Sequence, residues 1–259
     1  MSWLRVEEDG PIRVLTLDRP ERKNAVPAEG WSDLGDAFVD FEGSTARVLI
    51  VAGAGSEFCA GADLDMGAAA DFASTPDRHR RMRVVERAAT ALHRSTKPTI
   101  AAVDGAAVGA GMNLALGCDV VIASDRARFA ELFVRRGLTV DFGGTWLLPR
   151  VVGLQRAKEL ALSGRIVGAD EAVSLGLAVE AVPPDQLLSR AREVAEGFLK
   201  GAPIAQMLTK QALNASFESS FAESLSWEGQ SQVIAFSTKD VAEGIAAFFE
   251  RRDPEWRGE

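Results

Sequence analysis

Two short stretches of small residues are the places where this sequence can do chemistry. One is Cys59-Ala60-Gly61-Ala62-Asp63 and the other Gly109-Ala110-Gly111, and each follows an apolar run that reads as a buried strand. Glycine and alanine let a ligand approach the main chain closely and leave backbone N–H groups facing outward. A helix predicted behind the second stretch adds the partial positive charge of its N-terminus. One N–H from each stretch, aimed at a common point, would make an oxyanion hole, which stabilises a carbonyl oxygen as it gains negative charge. The same composition suits tight turns that exist for backbone reasons alone, and residue chemistry leaves both readings open. Other signatures are missing: the chain has no G-x-S-x-G, no Walker A loop and no H-E-x-x-H. Gly109-Ala110-Gly111 begins like a dinucleotide loop, but Leu114 stands where the third glycine belongs. His79 and His93 fall among arginines on a predicted helix and read as surface residues.

The elements that must position these stretches alternate in type. Ile12 to Asp18, Arg47 to Ala52, Thr99 to Asp104, Asp119 to Ala123 and Arg128 to Phe129 read as strands. Between them, Pro27-Ala28-Glu29-Gly30 opens a helix with Trp31, Leu34, Phe38 and Phe41 on one face. Ser74-Thr75-Pro76-Asp77 opens a second, whose buried face is Val85, Ala88 and Leu92. Met112 to Gly117 reads as a short third helix. The sequence therefore predicts an α/β fold over residues 12–123. Beyond Gly144 the chain turns helical: Trp146 to Val152, Gln155 to Leu162, Ala169 to Leu175, Leu187 to Phe198, then segments near 204–217, 220–235 and 238–250. Gly201-Ala202-Pro203 divides a core at 1–200 from a helical region at 201–259. Val241, Ile245, Phe248 and Phe249 give the last helix an apolar face that the core or another subunit must cover.

Composition narrows the partners. In 259 residues, 29 Lys and Arg face 37 Asp and Glu, a net charge of −8, which disfavours nucleic acid and anionic membrane surfaces. No apolar run reaches the length of a membrane span, and the acidic start, which soon becomes strand-like, does not read as a signal peptide. Cys59 and Cys118 are too few for a disulfide framework and have no zinc spacing, so a reducing, cytoplasmic setting without metal is expected.

Several motifs occur in order that together resemble the crotonase superfamily of enoyl-CoA hydratases and isomerases. They are Arg19-Pro20 with Asn24-Ala25, Phe58-Cys59-Ala60-Gly61-Ala62-Asp63-Leu64, and Ala101 through Gly111. Cys118-Asp119, Gly143-Gly144-Thr145, Leu160 with Leu162-Ser163-Gly164, Glu171-Ala172 and Gly176-Leu177-Ala178 continue the likeness, which runs from about Ile12 to Arg252. The resemblance implies a spiral of strand–strand–helix turns with a C-terminal helical trimerisation region, assembled as trimers or paired trimers. It implies an acyl-CoA thioester as substrate, with CoA arriving as part of that substrate and no separate cofactor. The oxyanion amides then fall on Ala62 and Ala110, and the CoA site on the Asn24-Ala25 loop and on Ala60, Gly61, Ala62, Asp63 and Leu64, with Gly109 in the second loop. Residues 66–81 border the acyl pocket by the same likeness.

The departures from the family pattern shape the functional expectation. Hydratases of the family hold water between two glutamates. Asn113 and Phe133 occupy those positions here, and neither can serve as a carboxylate base. Glu131, two residues before Phe133, would share its side on a strand, and otherwise reads as a solvated carboxylate. Gly137 to Gly144 resembles the segment where many family isomerases carry a single acid, and Asp141 falls on that position. By residue chemistry alone, Asp141 beside glycines ahead of a helix equally fits an N-cap. With Phe133 drying the pocket, proton return would be favoured over water attack, and burial would raise the acid towards neutrality. The expected activity is double-bond isomerisation of an acyl-CoA through Asp141. A hydratase using Glu131, and an acyl-CoA binding protein without turnover, are the alternatives.

Overall fold

The computed structural model describes residues 3–63 and 74–259. Residues 64–73, which include Leu64 and 66–73 of the segment expected at the acyl pocket, lie outside the described residues.

Six strands form one sheet in the order β1-β2-β3-β4-β6-β9: β1 (Leu4–Asp9), β2 (Ile12–Leu17), β3 (Val48–Gly53), β4 (Thr99–Val103), β6 (Val120–Ser124) and β9 (Glu180–Val182). All pairs are parallel except β1 with β2. Parallel strands are covered on both faces, which is why β3, β4 and β6 read as nearly continuous apolar runs, whereas β2, with Arg13 and Thr16, reads as alternating. Leu15, Leu17, Leu49, Val51, Ala101 and Val103 enter the main core, whereas Val14, Val48, Ile50, Ile100 and Ala102 point the other way. Helix α7 (Leu187–Leu199) covers that second face with Leu187, Ala191 and Ala195, and Val194 and Phe198 pack beside them.

A second, smaller layer carries the loops. In it β5 (Ala106–Val108) pairs parallel with β7 (Arg128–Ala130), which pairs antiparallel with β8 (Val167–Gly168). Single parallel bridges extend it, Cys59 to Ala107 and Val26 to Ala62. Each pass of the chain therefore runs through the large sheet, touches the small layer and leaves in a helix. β2 leads through Val26 to α1 (Gly30–Gly43), β4 through β5 to α3 (Ala110–Leu116), and β6 through β7 to α4 (Gly144–Val152). This is the strand–strand–helix spiral that the sequence led us to expect. The apolar faces of α1 and of α2 (Thr75–His93) are buried as their spacing predicts, and the Ser74 hydroxyl caps α2 by accepting from the Asp77 N–H. Periodicity missed β5, β8 and β9, which have two or three residues each and too few side chains to show a pattern, and β1, an edge strand whose residues are exposed after Leu4.

After α4 come α5 (Leu154–Ser163), α6 (Ala169–Leu175), α7 and then α8 (Pro203–Ala215), α9 (Phe221–Phe236) and α10 (Lys239–Glu250). Pro203 starts α8 at a position that needs no N–H. Lys210 ties α8 to the core by donating to the Asp119 carboxylate (2.7 Å) and the Lys97 carbonyl (2.8 Å). No helix among the described residues is long and apolar enough to cross a membrane.

Candidate active site

The bridge between Cys59 and Ala107 brings the two small-residue loops together. Cys59 N–H donates to the Ala106 carbonyl (2.8 Å), and Val108 N–H to the Cys59 carbonyl (3.0 Å). Such close contact leaves no room for side chains. Gly61 takes φ +89°, a region most L-residues avoid, and a Cβ there would lie 2.8 Å from the Val108 carbonyl oxygen. A Cβ on Gly111 would collide with the Cys59 carbonyl.

The two expected amides are both free. In the bridge with Val26, the neighbours of Ala62 make the bonds: Val26 N–H donates to the Gly61 carbonyl and Asp63 N–H to the Val26 carbonyl, both at 2.8 Å. The N–H of Ala62 itself faces the other side. Ala110 is the first residue of α3, so its N–H has no acceptor one turn back. Neither N–H has an acceptor among the described residues. Both residues line one small cleft of about 70 Å³, together with Ala60, Gly61, Gly109 and the Phe133 ring. Leu138 and Arg136 stand at its exposed side.

The other expected binding residues divide by what their side chains do. Asn24 is fully buried, its NH2 donating to the Ala54 (2.9 Å) and Glu57 (2.6 Å) carbonyls and its Oδ1 accepting from the Arg19 N–H (2.9 Å). It thus shapes the 19–25 loop from within. The Asp63 carboxylate joins that loop to the first small-residue stretch by accepting from Arg22 (2.6 Å) and Arg19 (3.1 Å), which hold it below the usual carboxylate range. Ala60 N–H donates to the Lys23 carbonyl (3.0 Å), and the Ala25 carbonyl accepts from the Arg19 guanidinium (2.8 Å).

Behind the cleft lies a cluster of polar groups. Asn113, one helical turn beyond Ala110, is fully buried and donates its side-chain NH2 to the Asp141 main-chain carbonyl at 2.9 Å. Gly144 makes this possible, because any side chain there would collide with the Asn113 amide. Asp141 does not cap α4: the N-cap is Gly143, with no side-chain bond. The Asp141 carboxyl instead keeps its Oδ1 buried and without a partner, and burial raises its pKa to about 6.

Glu131 departs from the expected solvated carboxylate. It is 1% exposed, and neither carboxyl oxygen has a partner. Nor does it lie on a strand with Phe133, for β7 ends at Ala130 and residues 132–136 form a 3-10 turn that Glu131 only precedes. Burial, and then the charge of Asp141, raise its pKa to about 8. The Asn113 amide offsets part of this, although its NH2 is bonded to the Asp141 carbonyl. Residue chemistry gave one signal that could have found Glu131, a lone acid bracketed by Phe129, Ala130, Leu132 and Phe133 directly after a buried strand.

His93 also differs from its expected place on the surface. It is half-buried with its ring edge-on to Trp146 at 4.9 Å, in a cavity of about 580 Å³ under α8 that lies apart from the cleft. His79 is exposed. Burial pushes the Cys59 thiol up to about 12, so it stays neutral beside the amides and is no nucleophile. Among the described residues no group of three His, Cys, Asp or Glu side chains could hold a metal ion.

Comparison with known proteins agrees with this geometry. The family model for enoyl-CoA hydratase/isomerase matches residues 7–259. The 1,2-epoxyphenylacetyl-CoA isomerase of Escherichia coli is 36% identical over 265 aligned positions, covering 100% of this chain and 99% of that protein. The short-chain-enoyl-CoA hydratase of Clostridium acetobutylicum is 34% identical, with 95% and 94% covered. A crystal structure of an enoyl-CoA hydratase/isomerase from Cupriavidus metallidurans superposes with a TM-score of 0.91 at 37% identity, over 100% of this chain and 97% of that one. With its full-length match, its spiral and its paired loops, the chain belongs to the enoyl-CoA hydratase/isomerase family.

Proposed function

We propose that the protein isomerises an enoyl-CoA by proton transfer through Asp141, with the thioester oxygen held between the N–H groups of Ala62 and Ala110. Asp141 takes a proton from C2 of a 3-enoyl-CoA. The electron pair moves to the carbonyl and gives a dienolate whose oxygen the two amides stabilise. The same acid returns the proton at C4, and the product is the 2-enoyl thioester. One carboxyl group is enough because it need only reach both carbons. CoA enters as part of the substrate, and no other cofactor is required.

The observation that carries this reading is the placement of Asp141. Its main chain is fixed to Asn113, one turn from the Ala110 amide, while Oδ1 is buried and unengaged. A pKa near 6 leaves it ionised at neutral pH yet basic enough to accept a proton. Phe133, against Gly109 at the cleft, keeps water from the enolate. The 36% identity to an isomerase of an acyl-CoA adds support. Asp141→Asn tests it: 3-enoyl-CoA isomerisation should fall by at least about a hundredfold, the low end for a positioned proton-transfer group. A wild-type rate would refute the assignment.

One observation favours a second reading, hydration of a 2-enoyl-CoA. Two carboxyl groups, Glu131 and Asp141, lie in one buried cluster, and a 34% identical relative is named a hydratase. Formation of 3-hydroxyacyl-CoA from a 2-enoyl-CoA separates the two.

We further infer that the working form is a homotrimer or a pair of trimers. Phe221, Phe248 and Phe249 are each more than three-quarters exposed on α9 and α10, and Leu213, Phe217 and Phe236 more than half. An apolar surface of that extent fits burial against a second copy. The acidic, cysteine-poor composition fits a cytoplasmic enzyme.

A further inference from the structure

Four buried acceptor atoms meet around Asn113: its own Oδ1, both Glu131 carboxyl oxygens and Asp141 Oδ1, and none has a hydrogen-bond partner. Acceptors alone cannot satisfy one another, and each buried group left unsatisfied costs about 1–3 kcal/mol. Asn113 has spent an NH2 proton on the Asp141 carbonyl. The simplest source of a donor inside such a cluster is a carboxyl group that keeps its proton.

The two acids differ in which keeps it. Glu131 is sealed at 1% exposure, whereas Asp141 is only partly buried. Asp141 ionises first, against a Glu131 that is still neutral, and its charge then holds the proton on Glu131. Among the described residues no neighbouring cation reverses that order. Arg135 turns away to the Ser163 carbonyl (3.0 Å), and Arg150 lies 3.7 Å over the Trp146 ring. Arg136 is exposed at the mouth of the cleft, Arg156, Lys158 and Glu159 of α5 are exposed, and α3 carries no charged residue. Arg128 on β7 pairs with Glu57.

We propose that Glu131 is a positioning residue that holds the site at a single negative charge, keeping its own proton as a hydrogen-bond donor within the cluster and leaving Asp141 as the ionised base. The inference deepens the proposed function and rests on Asp141 being the group that moves the substrate proton. Loss of the Glu131 proton at high pH would put two negative charges in one buried space, with only the remaining Asn113 N–H to serve three carboxyl oxygens, so turnover should fall there.

Two measurements on the full-length protein test it. The first is the infrared carbonyl band of protonated carboxylic acid, compared between wild type and Glu131→Gln at neutral pH. We expect a band in the wild type that is absent from the variant and that bleaches near pH 8. A wild type without that band overturns the proposal, and so does an identical band in Glu131→Gln. Should the variant not fold, the wild-type titration decides alone, since Asp141 is already ionised at neutral pH. The second is kcat/KM against pH with a 3-enoyl-CoA. The wild type should show an alkaline limb near pH 8 that Glu131→Gln loses or shifts upward by more than one pH unit. The same limb in both proteins overturns the proposal. The infrared reading needs no turnover. An active Asp141→Asn would therefore refute the proposed function while the protonation of Glu131 is still read directly.

Discussion

Replacing Ala110 with proline removes one atom group from the cleft and nearly nothing from the fold. Ala110 opens α3, so its N–H makes no helical bond that proline would break, and the first helical position is where proline is best tolerated. The residue before a proline must avoid the helical region. Gly109 already does so, at φ 56° and ψ −124°, the mirror image of extended backbone. Ala110→Pro should therefore melt close to wild type while lacking one of the two donors. Loss of one oxyanion donor raises a barrier by about 2.7–4 kcal/mol, or about 10²–10³ in kcat. The proline ring also sits where the hydrogen was and pushes the thioester oxygen outward, so the expected fall is at least about a hundredfold. Ala110→Gly is the control. It keeps the N–H and loses only a buried methyl worth about 0.8 kcal/mol, so activity should stay within about threefold. The assay is kcat/KM on a 3-enoyl-CoA beside a thermal melt of each variant. A folded Ala110→Pro enzyme with undiminished kcat/KM would refute the two-amide oxyanion hole.

Stability should fall as pH rises, against the habit of carboxylate-rich proteins. Glu131 moves from 4.5 to about 8 and Asp141 from 3.8 to about 6, so between about pH 4 and 8 these two groups hold more protons in the folded chain than in the unfolded one. Their contribution is complete below pH 4 and is lost as pH climbs through 6 and then 8. At about 1.4 kcal/mol per pH unit, Glu131 alone gives a change on the order of 5 kcal/mol. Urea midpoints across that range should drop in the wild type and flatten in Glu131→Gln, and parallel curves would refute the assignment. Asn24→Ala should cost about 3 kcal/mol in urea unfolding, because it orphans the Ala54 and Glu57 carbonyls and the Arg19 N–H. It also puts alanine at φ 55°, which asparagine tolerates better. An unchanged midpoint would show that the loop does not depend on this side chain.

The central strands of the large sheet and the helices were legible because their signals are long. Trp31, Leu34, Phe38 and Phe41 mark a buried face over three turns, β2 alternates over six residues, β3 carries no polar side chain, and in β4 only Thr99 does. The small layer was not legible: β5 spans only Ala106–Val108, and the Cys59–Ala107 bridge joins residues 48 apart through hydrogen bonds that no side chain records. The loops themselves were visible as glycine and alanine, since close backbone approach forces residue type, as Gly111 under the Cys59 carbonyl shows. The polar cluster was half visible. Asp141 stood out beside glycines, but whether a carboxylate caps a helix or faces inward depends on ψ angles that spacing does not encode. Glu131 was misread as solvated because glutamate is so rarely buried, and the strand that could have set its side ends at Ala130. At Leu132 the chain tightens into a 3-10 turn, and the side that Glu131 faces changes with it.

That error bears on how the site works. A strand would have aimed Glu131 and Phe133 to the same side, towards the same cleft. The turn separates them instead: the Phe133 ring packs over Gly109 at the cleft, while Glu131 is enclosed with Asn113 and Asp141. On the proposed reading, dryness and protonation are set by different residues, Phe133 on the turn and Glu131 just before it. The cluster is costly to the fold at neutral pH, because one of its acids is ionised in a space that gives it few donors. Rigid supports around it are then a requirement, since a looser site would let water in and return both acids to ordinary pKa values. Asn113 clamped to the Asp141 carbonyl, and packed on a residue that can only be glycine, meets that requirement. On this argument a side chain at Gly144 would do more than strain α4. By displacing Asn113 it would hydrate the cluster, so a folded variant there should be more stable at alkaline pH relative to acid than the wild type, and slower.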